Sequence, residues 1–265
     1  MSRNFKLTLA YDGYDYAGWQ VQPDRTTIQG ALVSAIEQLT GEKTLPQGSG
    51  RTDAGVHAVA QVASLALESP IPTANLRKAL NDLLPPAIRV TAAEEVPPSF
   101  HARKSASAKT YEYRIYRGEL CPPFLARYVH HHPFPLDEEK MREAAHIVEG
   151  KHDFTSFAAV DPESGKEDAD INNVRTIFSS RWQRRDKERN PERNHELVYT
   201  VRGSGFLHHM VRNLVGTFLM IGKGNLTASD LRHILELRDR SAAAATAPAS
   251  GLVLVSVEYG VKQSL

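Results

Sequence analysis

An α+β fold is predicted for this chain, and three observations predict it. Short runs with the period-two alternation of strands recur from end to end, amphipathic helical runs fall between them, and glycine or proline closes most runs. With 265 residues, 41% hydrophobic and 24% charged, the composition is that of an ordinary globular protein. The length allows one large domain or two modest ones with a real core.

The elements follow in order. Phe5, Leu7, Leu9 and Tyr11 alternate as one face of a strand. Thr27 is placed to cap a helix with Ile28, Leu32, Ala35, Ile36 and Leu39 at helical spacing. A loop from Gly48 to Gly55 leads into a half-buried strand starting at His57. Val59, Gln61, Ala63 and Leu65 are expected on one of its faces, and Ala58, Ala60, Val62, Ser64 and Ala66 on the other. A helix from Thr73 to Leu84 stops at Pro85-Pro86, which cannot continue it. Ile88 to Glu95 is a strand ending before Pro97-Pro98. That order resembles the strand-helix-strand-strand-helix-strand of a ferredoxin-like unit.

The second half repeats the pattern without repeating the sequence. Tyr111–Tyr116 is expected as a strand, Asp137–Val148 as a helix, and Val174–Trp182 with Glu196–Arg202 as a strand pair. Phe206–Ile221 and Ala228–Leu237 are expected as helices, and Leu252–Tyr259 as a final strand. Two ferredoxin-like halves therefore emerge, each an antiparallel sheet flanked by helices, with a catalytic cleft expected between them. The boundary is set near Pro98: an N-terminal domain over 1–98 carrying the Gly48–Gly55 loop, and a C-terminal domain over 99–265.

A net charge of +1 excludes a generally basic protein, so a nucleic-acid partner would need a local positive surface. Cys121 is the one cysteine, which excludes a disulfide within the chain and a thiolate zinc site, and fits a reducing cytoplasm. The opening MSRNFKLTLAYDG lacks the apolar core of a secretory signal. The longest apolar stretch, Phe206–Ile221, is broken by His208, His209, Arg212 and Asn213, so no membrane span is expected.

The stretch GRTDAGVHAVAQVASLAL, Gly50 to Leu67, puts a carboxylate, Asp53, on a glycine-rich loop anchored by a strand. Gly48, Gly50 and Gly55 free the backbone for positive φ or for close approach. That geometry suits one nucleophile or base facing a cleft, although an Asp before Ala-Gly also closes an ordinary Asx-turn. Arg51, two residues away, shares its side on an extended backbone. In the helix from Phe206, Arg212 is the one residue of fixed charge, with His209, Asn213 and Gly216 near it. A buried guanidinium needs a carboxylate or a ligand anion, either a structural partner or Asp53. Tyr111, Tyr113 and Ile115 share one strand face, which reads first as core.

Other patterns are decoys or loops. His130-His131-His132 are contiguous, point different ways and lack a carboxylate at HExxH spacing, so no metal is expected there. QGSGRTDAG has no GK[ST] and leads into a strand, which excludes a P-loop. Asp161–Asp170 and Arg184–Asn194 read as solvated loops, the second with enough arginine to meet phosphate.

Gly50–Ala58, GRTDAGVHA, resembles the signature of the TruA family of tRNA pseudouridine synthases. Gly205–Gly216, GFLHHMVRNLVG, and Lys109–Ile115, KTYEYRI, resemble two further motifs of that family. So do Tyr11-Asp-Gly, Tyr16-Ala-Gly-Trp19-Gln, Thr27-Ile-Gln29, Phe100-His-Ala-Arg103, His152–Phe157 and Thr246–Leu252. The likeness covers nearly the whole chain. It departs at the alanine run Ser241–Ala245, where a glycine-containing turn is usual, and at the long charged stretch 184–194.

The resemblance implies conversion of uridine to pseudouridine at positions 38, 39 and 40 of the tRNA anticodon arm, without cofactor or metal. It implies that Asp53 acts on the ribose and that Arg212 keeps its carboxylate ionised and aimed. By the same resemblance Tyr111 would stack on the target base, and Arg51 would fill the stem beside the extruded nucleotide. It further implies a cytoplasmic homodimer sharing one tRNA. A tRNA-binding module without catalysis is the rival reading; a glycosidase or phosphoesterase would want a second carboxylate or a metal cluster beside Asp53.

Overall fold

The computed structural model describes residues 2–159, 172–185 and 195–260. The acidic stretch Asp161–Asp170 lies outside them, as does the charged stretch from Arg184 beyond Arg185. The chain divides into two compact units, one up to Lys109 together with the residues from Val253 on, the other Thr110–Leu252.

The first unit runs β1 (Arg3–Tyr11), α1 (Ile28–Thr40), β2 (Gln47–Gly48), β3 (His57–Leu67), α2 (Thr73–Leu83) and β4 (Ile88–Val96). β5 (Ala106–Tyr116) then begins, and the chain changes unit within it, past the Pro98 turn. The second unit continues through α3 (Pro123–Ala126), β6 (His130–His131), α4 (Glu138–Ala145), β7 (Gly150–Asp153), β8 (Val174–Arg184) and β9 (Glu196–Gly203). α5 (Met210–Gly222), α6 (Ala228–Leu237) and β10 (Leu252–Tyr259) complete the chain.

In the first unit β4, β1 and β3 are antiparallel neighbours. The far edge of β3 is shared: β2 pairs with it at Ala63–Ser64, and β10 runs parallel to it at His57–Ala58. The β4-β1-β3-β2 order is the ferredoxin-like one. Phe5, Leu7, Leu9 and Tyr11 are buried as their alternation predicts, against Ile28, Leu32 and Ile36 of α1 and Leu76 and Leu80 of α2 in the same core. Thr27 caps α1 by accepting from the Gly30 amide, and the helix ends on Gly41 at φ 75°.

β3 departs from simple alternation. Leu9 faces Gln61 but Tyr11 faces Ala58, so β3 carries one extra residue there, a bulge. Val59 is thereby turned out, 52% exposed, while Gln61 through Leu65 are all buried. The face that carries Ser64 is covered there, where the Ser64 hydroxyl accepts the Ala102 amide at 3.0 Å.

In the second unit β7, β8 and β9 are successive antiparallel neighbours, β9 follows β5, and β6 lies parallel to β5. Trp182, Tyr199 and Phe218 form an aromatic group with ring centroids 5.0–6.1 Å apart. α5 is buried almost all round, as its composition predicts, but it begins at Met210 rather than Phe206. The preceding His209 takes a left-handed φ of 58°, and the Met210 amide donates to the Leu207 carbonyl, so 207–210 form a turn. α4, expected over Asp137–Val148, is capped by Asp137 and tightens into a 3₁₀ turn over His146–Val148. Among the described residues no helix is long and apolar enough to cross a membrane.

Candidate active site

The loop bearing Asp53 joins β2 to β3. The Ser49 amide extends the ladder by donating to the Val62 carbonyl at 2.7 Å. The loop closes on a turn in which the Val56 amide donates to the Asp53 carbonyl at 3.1 Å and Gly55 has φ 78°. Of the three glycines read from the sequence, Gly55 alone needs positive φ. Gly48 is required for a different reason: a Cβ there would meet the Trp19 ring at 2.6 Å.

The bed under this loop is the segment Tyr11–Gln20. The Trp19 amide donates to the Thr52 carbonyl at 3.0 Å, and the Gly55 amide to the Tyr16 carbonyl at 3.2 Å. Gly18, at φ 94°, brings the two backbones so close that a Cβ would sit 2.6 Å from the Thr52 carbonyl oxygen. Beneath them lies a buried polar group. Ser49 donates its hydroxyl to Gln61 Oε1 at 2.7 Å, Gln61 Nε2 donates to the Gly50 carbonyl at 2.9 Å, and the Tyr11 and Thr52 hydroxyls pair at 2.8 Å. Lys109 Nζ donates to the Ser49 carbonyl at 2.5 Å. Burial pushes the Tyr11 hydroxyl up to about 12, so it keeps its proton and its bonding role at neutral pH.

Sequence reasoning missed Tyr11, Ser49, Thr52 and Gln61 as parts of this site. A signal was present: Gln61 is an amide inside the apolar run HAVAQVASLAL, and a fully buried amide must bond to something.

The residues read as functional sit as follows. Asp53 and Arg51 are half-buried on the loop, and Arg51 Nε donates to Gln20 Oε1 at 3.0 Å. In the second unit Tyr111 is buried in β5, with the Phe206 ring at 83° to its own and a centroid distance of 5.1 Å. Arg212 is half-buried on α5, and its Nε donates to the Ala247 carbonyl at 2.8 Å.

The turn that holds Arg212 is built from the atypical alanine run. The Ala245 carbonyl lies over Gly216, where a Cβ would approach it to 2.0 Å. Arg240 gathers the run, donating to the carbonyls of Ala243 and Ala244, to Asn213 Oδ1 and to Thr246 Oγ1 at 3.0–3.2 Å. Asn213 Nδ2 in turn donates to the Phe157 carbonyl at 2.7 Å. A glycine-containing turn is therefore unnecessary here, because the guanidinium of Arg240 organises the carbonyls.

Residues 8–103 and 144–260 of this α+β chain match the family model described as tRNA pseudouridine synthase, a class of RNA-modifying enzymes. The chain is 52% identical over 257 residues to tRNA pseudouridine synthase A of Solibacter usitatus, covering 97% of this chain and all of that one. It is 44% identical over 259 residues to the protein of the same name from Limosilactobacillus reuteri, covering 97% of this chain and 96% of that one. The corresponding protein of Brevibacillus brevis is 42% identical over 257 residues, with 97% and 100% covered. The chain belongs to the tRNA pseudouridine synthase family.

Proposed function

We propose that this protein isomerises uridine to pseudouridine in the anticodon stem-loop of tRNA, at positions 38, 39 and 40, with Asp53 as the catalytic carboxylate. Membership of the synthase family over nearly the full chain carries the reaction. The braced loop carries the assignment of Asp53. The N1–C1′ glycosidic bond breaks, the freed uracil turns, C5 joins C1′, and the proton lost from C5 is matched by one taken up at N1. Atoms and electrons balance within the substrate, so no cofactor or energy donor enters.

Asp53 acts on the ribose, by bonding to C1′ or by taking the C2′ proton. Either route needs an ionised carboxylate in a site closed to water, since water would intercept the sugar after the bond breaks. Arg212 is assigned the aiming of that carboxylate. Tyr111 offers its ring to the base, which must first leave the stack. Arg51 occupies the space the base has left.

Modification of neighbouring positions implies recognition through backbone and shape more than base identity. Two copies sharing one tRNA spread the positive surface over two chains, which reconciles RNA binding with a net charge of +1. The reading places the protein in the cytoplasm with its substrate.

The test is tritium release from tRNA labelled at uridine C5, comparing the protein with Asp53→Ala. Release by the wild type, lost in a variant that still binds tRNA, is the expected result. Equal tRNA binding by both with no release by either would replace catalysis with an RNA-binding role.

A further inference from the structure

We infer that Gln61 is a positioning residue for the reaction: its buried amide clamps the loop on either side of Arg51 and so fixes the backbone that carries Asp53. The inference rests on Asp53 being the catalytic carboxylate.

A glutamine amide has two N–H donors and two acceptor positions on its oxygen. Here all four are used. Oε1 accepts from the Ser49 hydroxyl at 2.7 Å and from the Val62 amide at 3.1 Å. Nε2 donates to the Gly50 carbonyl at 2.9 Å and to the Tyr11 hydroxyl at 3.4 Å. The orientation is unique, because exchanging oxygen and nitrogen would set an N–H against the Val62 N–H and an oxygen against the Gly50 carbonyl.

Through Tyr11 the clamp extends to Thr52, whose hydroxyl lies 2.8 Å from the Tyr11 oxygen. Ser49, Gly50 and Thr52 are thus tied down. Ser49 and Thr52 are buried, whereas Arg51 and Asp53 are only half-buried. Gln61 itself is fully buried, so water does not compete for these bonds.

The clamp answers a physical need. Glycines at 50 and 55 give the loop conformational slack, and a catalytic carboxylate tolerates little of it. A displacement of about 1 Å at a reacting group costs about 100-fold in rate. A residue that only stabilises the core would lower melting temperature and tRNA binding together. A positioning residue lowers turnover and leaves substrate binding in place.

The experiment compares wild type, Gln61→Met, Tyr11→Phe, the double variant and Asp53→Ala. kcat and KM come from tritium release, tRNA Kd from filter binding, and the melting transition from circular dichroism. Gln61→Met keeps the side-chain length and removes every hydrogen bond; its kcat is expected to fall about 10- to 100-fold, with KM and Kd within about twofold. Tyr11→Phe removes a single oxygen and decides the matter if Gln61→Met does not fold, with a fall of about tenfold expected. The double variant should lose less than the product of the single losses, as expected of one coupled unit.

Unchanged kcat in both single variants overturns the inference, as does a loss shared equally by kcat, tRNA binding and melting. Asp53→Ala separates the two levels. If it is inactive while Gln61→Met and Tyr11→Phe turn over normally, the clamp alone fails. If Asp53→Ala stays active, the reading of Asp53 fails first.

Discussion

Gly216 shows how much a single hydrogen atom decides. In an exposed helix interior, alanine in place of glycine would stabilise by about 1 kcal/mol through propensity. In α5 the added methyl would stand 2.0 Å from the Ala245 carbonyl oxygen, a backbone atom that cannot swing aside. Relief requires moving the 240–247 turn, which puts at risk the Arg212 Nε bond to the Ala247 carbonyl and the Ala247 amide bond to the Arg212 carbonyl. Overpacking of this kind costs about 1–3 kcal/mol, and each lost hydrogen bond about 1 more. The clash wins: Gly216→Ala is expected to lose about 2 kcal/mol in urea denaturation at pH 7, and a variant as stable as wild type would refute the packing described. The sequence marked Gly216 only as a neighbour of Arg212 on a helix face. Its steric role was not legible, because the atom it must avoid lies some thirty residues away along the chain.

β6 is an element whose existence and chemistry separate. The three contiguous histidines do point different ways, as a strand requires. His130 and His132 stack with centroids 5.9 Å apart, while the His131 ring lies by Tyr116. What sequence could not supply is the burial of His132 and the partial burial of His130. Burial, with Lys223 nearby, pushes the His132 imidazole down to about 4, and lowers His130 in the same way. His132 Nε2 is buried without a hydrogen-bond partner among the described residues, so the neutral ring is the form the fold accepts. The consequence has a definite sign. In the unfolded chain His132 titrates near the ordinary value of about 6.5, so as pH falls the unfolded state takes up the proton first. Its contribution to stability is complete above about pH 6.5 and is lost progressively toward pH 4. The urea midpoint of wild type should therefore drop between pH 7 and pH 5, and His132→Leu should flatten that slope. An identical slope in the variant would mean that His132 titrates normally in the folded protein.

Each unit as a whole depends on pairings that no local pattern reveals. The strand at Leu252–Tyr259 was readable from its alternation, and so was the helix-strand order before it. That the strand from Val253 on joins the first unit was not readable, because partner choice between distant strands leaves no mark in either one. Yet β10 covers the edge of β3 at His57 and Ala58, immediately after the Asp53 loop. Val253 and Leu254 are buried, Tyr259 donates its hydroxyl to the Ala102 carbonyl at 2.9 Å, and the rings of Tyr259 and Phe100 lie 4.9 Å apart. Burying the two aliphatic side chains alone contributes about 3–6 kcal/mol, a large share of the about 5–15 kcal/mol that holds a whole domain. Removing everything after Leu252 should therefore unfold the first unit selectively. The two tryptophans report on this separately, since Trp19 is buried in the first unit and Trp182 in the second. In single-tryptophan variants of the shortened chain, Trp19 emission should shift to the red while Trp182 emission stays blue. Unchanged Trp19 emission would show that the first unit holds without its last strand, and that the start of β3 is anchored by β1 alone.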